Sequence, residues 1–262
     1  MAHLPQSAAQ YGLRSEQYSR LLKVALPMLT GRQDPLGEQE KAKLESLSGV
    51  PAGQRPLNNY RELYGECLRF AHAQIWPETD ENHDAVMDEE LYTLTPVQAV
   101  RHLVSTTYRR FQQHPAEVAF IVADNIARQR SAAVPDFALE ASPVILQLDR
   151  VLMRGHDIGA FRYGISAEDL YVILVSLCSF PVSHGPAFHA LYGMNATDPT
   201  NMAGMTKLTE DAVLAFLTST MPTTQGSSYT HSSQSHSSSE GLPGSVAATL
   251  YDSEHHPWEG SH

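Results

Sequence analysis

Residues 111–130 read FQQHPAEVAFIVADNIARQR, residues 149–180 read DRVLMRGHDIGAFRYGISAEDLYVILVSLCSF, and residues 189–193 read HALYG. The apolar residues in these stretches recur every three or four positions, a spacing that places their side chains on one face of an α-helix. The strict alternation of apolar and polar residues that indicates β-strands is nearly absent from the chain. These stretches therefore predict an all-α fold.

The starts of the helices are marked by prolines that follow a capping residue. Proline suits the first helical position because its missing N–H would have no partner there. A preceding Ser, Thr or Asp can accept a hydrogen bond from the first turn. The chain has this arrangement at Thr95-Pro96, Ser142-Pro143 and Asp198-Pro199, and nearly so at His114-Pro115. With the apolar stripes that follow them, these starts predict eight or nine helices.

Glycine and proline also predict where helices end. Gly155 is expected to end the helix that precedes it, and Pro181 with Gly185 is expected to end the helix that begins after Ser166. The last helix is expected to span residues 199–221.

The composition of the chain limits the classes of protein to which it can belong. Its 262 residues, of which 42% are hydrophobic, are enough for a sizeable core. No run of apolar residues approaches the length of a membrane span, and the first residues lack the pattern of a secretory signal, so neither is expected. A net charge of −11 argues against broad attraction to nucleic acid or anionic membrane. Cys67 and Cys178 lie in apolar helical patterns and are expected to be buried thiols.

A series of short motifs between Phe111 and Gly193 resembles the effector-binding and dimerisation half of TetR-type transcriptional regulators. The motifs are a His-Pro-x-Glu helix start at 114–117, an Asp-Asn pair at 124–125, a Gly-x-x-x-Gly-x-Phe-Arg turn at 155–162, an Asp-Leu-Tyr helix start at 169–171 and a Tyr-Gly pair at 192–193. The resemblance implies a TetR-like helical bundle. In it, residues 1–57 form a divergent three-helix head and residues 58–221 form the effector-binding and dimerisation domain.

The turn motif has a structural interpretation of its own. Gly155 and Gly159 permit the positive φ angles of a helix end. The Phe161 side chain is expected to pack into the core and so hold the turn against it. Arg162 is expected to bind carbonyl groups at a helix end.

The resemblance also implies a small, mostly apolar effector bound between the helices, in the kind of concave site that such ligands prefer. The candidate lining residues are Phe70, Trp76, Tyr108, Phe120 and Asn125. Packing in the core is the alternative role for each of them, and Asn125 is more readily interpreted as satisfying a buried backbone group. A homodimer is expected through the last two long helices, at about 167–183 and 199–220, in an isologous contact.

In regulators of this type the first three helices form a helix-turn-helix unit. Residues 21–29 match the first helix, and Ser48-Gly49-Val50 resembles the turn before the recognition helix. The next seven residues, PAGQRPL at 51–57, hold two prolines and a glycine, which disfavour a helix. The candidate DNA-contacting residues are Lys23, Arg32, Lys41, Lys43 and Arg55.

Four acidic residues nearly cancel the positive charge of these candidates: Asp34, Glu38, Glu40 and Glu45. Because phosphate contacts supply most of the non-specific affinity for DNA, a neutral head binds DNA poorly. Two hypotheses therefore stay open. The chain is either a DNA-binding regulator, or a descendant of that fold that acts as a ligand-binding or protein-interaction module without DNA.

Residues 222–262 are rich in Ser and His, bury too little apolar surface to fold, and are expected to be a disordered tail. The helical histidines lack the spacing of a metal-binding helix, and no phosphate-binding or nucleophile motif is present, so no enzyme, cofactor or metal is expected. The expected location is intracellular: the nucleus if the source is eukaryotic, otherwise the cytoplasm.

Overall fold

The computed structural model of the chain describes residues 11–32, 34–51, 53, 57–76, 89–128, 142–220 and 229. Over these residues the protein consists of nine helices without a β-strand, which confirms the predicted all-α class. The helices are α1 (Ser15–Leu29), α2 (Glu38–Ser48), α3 (Tyr60–Ile75), α4 (Glu89–Thr93), α5 (Pro96–Gln113), α6 (Pro115–Arg128), α7 (Ser142–Asp157), α8 (Ala167–Tyr192) and α9 (Pro199–Thr218).

The helices enclose two hydrophobic cores. The head core lies between α1, α2, most of α3 and Phe120 of α6. The second core, which we call the effector-domain core after the domain predicted from the sequence, lies between α5, α7, α8 and α9, with Val118 of α6 and with Ile75 and Trp76 at the end of α3. Helix α3 therefore contributes buried side chains to both cores, which connects the head directly to the remainder of the protein.

The predicted helix starts are confirmed in detail at two positions. Thr95 Oγ1 accepts a hydrogen bond from Gln98 N, and Gln98 Oε1 accepts one from Thr95 N at 3.1 Å, which closes a capping box at the start of α5. Ser166 and Asp169 form the same reciprocal pair at the start of α8, with 3.2 Å and 3.0 Å between the bonded atoms. These caps fix where α5 and α8 begin.

The prediction that Pro181 and Gly185 end a helix is wrong. Helix α8 continues past both residues and through Pro186, and ends at Tyr192. A proline removes only one backbone hydrogen bond, and bonds on either side of it maintain the helix. The residue that caps the helix is instead Gly193, whose φ of +67° is the left-handed conformation of a helix C-cap.

Gly155 also does not end its helix, since α7 continues to Asp157. Its lack of a side chain serves another purpose. The ring of Phe161 lies directly against the backbone of Gly155, and a Cβ atom there would be 1.9 Å from Phe161 Cδ2. The positive φ of the turn belongs to Gly159, at +67°.

The remainder of the turn motif behaves as predicted. Phe161 is buried in the effector-domain core. Arg162 donates from its backbone N to Leu217 O at 2.9 Å and from Nε to Phe216 O at 2.8 Å. Arg162 therefore binds carbonyl groups at the end of α9. This helix ends at Thr218, three residues before the expected end at Met221. Met221 and the predicted tail at 222–262, apart from Tyr229, lie outside the described residues.

Both cysteines are buried free thiols, as the sequence predicts. Burial raises the pKa of Cys178 to about 12, and burial together with the nearby Glu66 charge raises the pKa of Cys67. Because the thiolate is the reactive form, neither cysteine is suited to nucleophilic chemistry at neutral pH.

Candidate functional site

The effector-domain core contains a cluster of aromatic side chains around Trp76. The Trp76 ring lies 5.7 Å from the Phe111 ring and 5.5 Å from the Tyr171 ring, measured between centroids. Trp76 Nε1 donates to His72 Nδ1 at 3.1 Å, and Arg110 donates to the carbonyl oxygen of Trp76. This cluster therefore holds the end of α3 against α5 and α8.

Two buried polar atoms of α5 have no hydrogen-bond partner among the described residues. They are Tyr108 Oη and Gln112 Nε2, which are one helical turn apart, and both atoms are buried. Burial, and to a lesser extent the neighbouring Cys178, raises the pKa of Tyr108 to about 12, so its hydroxyl is protonated at neutral pH. A buried polar atom without a partner costs free energy, and a bound ligand or water is the usual remedy.

The structure separates the five residues predicted to contact the effector. Trp76 and Tyr108 lie in the effector-domain core, whereas Phe70 and Phe120 are buried in the head core. Asn125 is exposed on α6, while its neighbour Asp124 is buried and accepts a hydrogen bond from Tyr64 Oη at 3.1 Å. The predicted residues are thus divided into two pairs, Trp76 with Tyr108 in one core and Phe70 with Phe120 in the other. Gln112 was not among the predicted residues.

A surface depression of about 510 Å³ lies beside the end of α7. The rings of His156 and Tyr163 stack in it with their centroids 5.2 Å apart, and His156 Nε2 is a buried atom without a partner among the described residues. None of the five predicted ligand residues lines it. Its lining residues are Tyr92, Arg150, Met153, Arg154, His156, Asp157 and Tyr163.

The head contains two of the three helices expected for a helix-turn-helix unit. Helices α1 and α2 pack on each other, and α2 ends at Ser48 with Gly49 as its C-cap, at a φ of +70°. In the connection between α2 and α3, the described residues 49–51, 53 and 57–59 form turns and extended backbone, with no helix. A recognition helix is therefore not present among the described residues of the head.

The structure distinguishes among the candidate DNA-contacting residues. Arg32 forms an ion pair with Glu40 at 2.6 Å, and Lys41 forms one with Glu38 at 2.8 Å. Lys23 and Lys43 are exposed, and neither forms an ion pair within the part of the chain that is described. Arg55 lies outside the described residues. Two of the predicted cations are thus neutralised within the head, and two are available to an anion.

A buried carboxylate that the motifs did not reveal joins the head to α3. The Glu66 cluster consists of Tyr11, Tyr18, Glu66 and Arg69. Glu66 is 3% exposed; its carboxylate accepts hydrogen bonds from Tyr11 Oη at 3.3 Å and from Tyr18 Oη, and pairs with Arg69. The sequence could have indicated that Glu66 is buried, because it occurs three residues after Leu63 and four before Phe70, on the apolar face of the helix.

Helix α8 has an unusual distribution of apolar surface. It is the one helix, within the described residues, whose length and mean hydropathy of 1.4 would suit a membrane span, yet only 22% of that apolar window is buried. Leu170, Leu174 and Cys178 in its first half lie in the effector-domain core. Helix α8 is therefore an integral part of the bundle, with an outer apolar face that the single chain leaves uncovered.

No group of three or more His, Cys, Asp or Glu side chains that could hold a metal ion occurs in the described residues. The fold and its sites thus define a class of protein: an all-helical domain that buries polar atoms without a partner among the described residues, joined through one shared helix to a small helical head.

The family follows from comparison with known proteins. Residues 96–213, from the start of α5 into α9, match the family described as "Tetracyclin repressor-like, C-terminal domain". This part of the chain is similar to that family, which confirms the resemblance to TetR-type regulators inferred from the motifs. The match does not include the head. No curated protein matches the chain.

Proposed function

We propose that the chain is a dimeric transcriptional regulator of the TetR family that acts inside the cell and responds to a small, mostly apolar effector. The observation that carries the proposal is the match of residues 96–213 to the C-terminal domain of such regulators. The family is a regulatory one, and this domain is its sensing half, so catalysis is not part of the proposal.

The proposed effector contacts centre on the inner face of α5. An apolar ligand body would lie against Trp76, and one polar group of the ligand would pair with Tyr108 Oη and Gln112 Nε2, which have no partner among the described residues. Such a site follows the usual composition of ligand pockets, which are apolar with few polar groups that fix orientation. Phe70 and Phe120 would support this site from the head core instead of touching the ligand.

The proposed homodimer uses the outer faces of α8 and α9. Val172 is 52% exposed and Leu208 is 58% exposed, and small residues such as Ala187 and Ala212 are exposed on the same two helices. Small side chains let two helices approach closely, and an apolar face of this extent is typical of a protein–protein interface. A second copy of the chain, related by a two-fold axis, would cover both faces in a four-helix contact.

Placing a charge on this surface is expected to weaken the dimer. Val172→Asp and Leu208→Asp should each raise the dimer dissociation constant at least about tenfold, because each buries a carboxylate without a partner. Analytical ultracentrifugation of the full chain over a concentration series measures this constant. The matched control is Ile158→Asp, which changes an apolar residue that is 68% exposed outside both helices and should leave the constant unchanged. A monomeric wild-type chain, or an equal effect of all three changes, would contradict the interface.

The part of the proposal that concerns DNA rests on Lys23 and Lys43, which remain exposed on the head. One observation favours the alternative, a TetR-fold ligand-binding or protein-interaction module that does not bind DNA. The described residues between α2 and α3 contain no recognition helix, so side chains that could read base edges are not presented on one.

Selection of random duplex DNA by the purified protein over a series of salt concentrations distinguishes the two functions. A regulator is expected to enrich a short palindrome, with an affinity that falls steeply with salt. Lys43→Glu should lower the salt slope by about one for each phosphate contact that it removes. Arg109→Glu, a charge reversal at an exposed position of α5, should not change it. No enrichment at low salt, from folded dimeric protein, would establish the alternative.

A further inference from the structure

Tyr229 stands apart in sequence from the other described residues, yet it contacts the folded bundle. Its backbone N donates to Asp169 Oδ2 at 3.1 Å, sixty positions earlier in the chain. Its ring lies 6.0 Å from the ring of Phe216, measured between centroids, and 5.9 Å from Arg162 Cζ. Backbone, ring and guanidinium contacts thus converge on one residue of the C-terminal segment.

The surface that receives Tyr229 is formed by groups that the bundle itself holds in place. Asp169 is only 4% exposed, and the same Oδ2 atom also accepts from Ser166 N at 3.0 Å. Arg162 is fixed by its hydrogen bond to Phe216 O, and its Cζ lies 4.6 Å from the centre of the Phe216 ring. A second atom of this guanidinium, Nη2, is buried and has no hydrogen-bond partner among the described residues.

These groups have the chemistry of a small peptide-binding site. A buried carboxylate binds a backbone N–H more strongly than a neutral acceptor does. The flat faces of Phe216 and Arg162 offer aromatic and cation–π contacts to one aromatic side chain. The site therefore suits an aromatic residue whose own amide is free to donate.

We propose that Arg162, Asp169 and Phe216 form a docking site for the chain's own C-terminal segment, with Tyr229 as its anchoring residue. Only ten positions separate Tyr229 from Ser219, the C-cap of α9. A short tether gives a segment a local concentration on the order of millimolar, so a few contacts suffice to keep it bound. The docked residue lies where α8 begins and α9 ends. This inference does not depend on DNA or effector binding.

Amide hydrogen exchange of the full chain, resolved at residue 229, tests the docking. The reference for each variant is a synthetic peptide of residues 222–236 with the same sequence. In the wild type the amide of Tyr229 is expected to exchange at least about tenfold more slowly than in the peptide, because it is bonded to a buried carboxylate. Tyr229→Phe should keep this protection, since the ring and the amide remain. Tyr229→Ala should lose it.

The matched control is Tyr251→Ala, which removes the other tyrosine of the same tail and should leave the exchange at residue 229 unchanged. Exchange of the amides within α8 and α9 verifies that each variant is folded. Exchange of the wild-type amide at the rate of the free peptide would overturn the proposal. So would full protection in Tyr229→Ala, because the anchor would then not be Tyr229.

Discussion

Replacing Glu66 with alanine is expected to lower the free energy of unfolding by roughly 3 kcal/mol, since it removes the charged acceptor of a buried hydrogen-bond network. The hydroxyls of Tyr11 and Tyr18 both donate to the Glu66 carboxylate, and Tyr18 is completely buried. Without the carboxylate, Tyr18 Oη would lose this charged acceptor. Chemical denaturation followed by the helical circular dichroism signal measures the loss.

Glu62→Ala is the matched control for this change. Glu62 is one turn earlier on the same helix, is only half-buried, and accepts from Tyr11 Oη at 3.0 Å. Its loss should cost less than about 1 kcal/mol, as is usual for partly solvated contacts. Tyr18→Phe, which removes a single donor to the carboxylate, should cost roughly 2 kcal/mol. It also tests the cluster in a milder way if Glu66→Ala does not fold. Equal losses for Glu66→Ala and Glu62→Ala would contradict the assigned role of the cluster.

The second large effect is expected from Gly155→Ala, which should destabilise the protein by roughly 2 kcal/mol through overpacking. Alanine normally favours a helix over glycine by about 1 kcal/mol, so the usual direction is reversed here. The reason is the Phe161 ring, three of whose carbon atoms would lie 1.9–2.6 Å from the new Cβ. The ring cannot simply move away, because Phe161 N is bonded to Gly155 O at 3.2 Å and the adjacent Arg162 N to Leu217 O.

Gly65→Ala provides the control for Gly155→Ala. Gly65 also lies inside a helix, and no heavy atom would be within 4 Å of its new Cβ, so stability should rise by up to about 1 kcal/mol. A thermal or chemical unfolding series measures both. The double change Gly155→Ala with Phe161→Leu should be less destabilising than the sum of the single changes, since the smaller side chain makes room. Strict additivity would show that the Phe161 ring is not the cause.

The sequence alone was sufficient where the determinants are local. The helix starts at Thr95-Pro96 and after Ser166, the all-α class, the buried thiols and the binding of Arg162 to a helix end were all predicted and are confirmed. Each depends on residues a few positions apart, or on an apolar period that does not require knowledge of the partner helix. The family was predicted in the same way, because its motifs are short and ordered along the chain.

The candidate sites were less accessible to sequence reasoning, because they depend on which helix faces which. Aromatic residues of similar appearance in the sequence are divided between two cores: Phe70 and Phe120 lie in the head core, whereas Trp76 and Tyr108 lie in the effector-domain core. Likewise, the neutralisation of Arg32 by Glu40 depends on the fold of the connection between α1 and α2. The assignment of ligand and DNA contacts to particular residues remains a prediction.

The amino-acid sequence by itself determined that this chain forms helices, where most of them begin, and which family residues 96–213 resemble, since caps and apolar periods act over a single turn. Only the tertiary structure decided the ends of α7 and α8, the requirement for glycine at position 155, the buried role of Glu66 and the contact of Tyr229 with Asp169. Those features arise from residues that are distant in the chain and meet only after packing, so no local pattern specifies them.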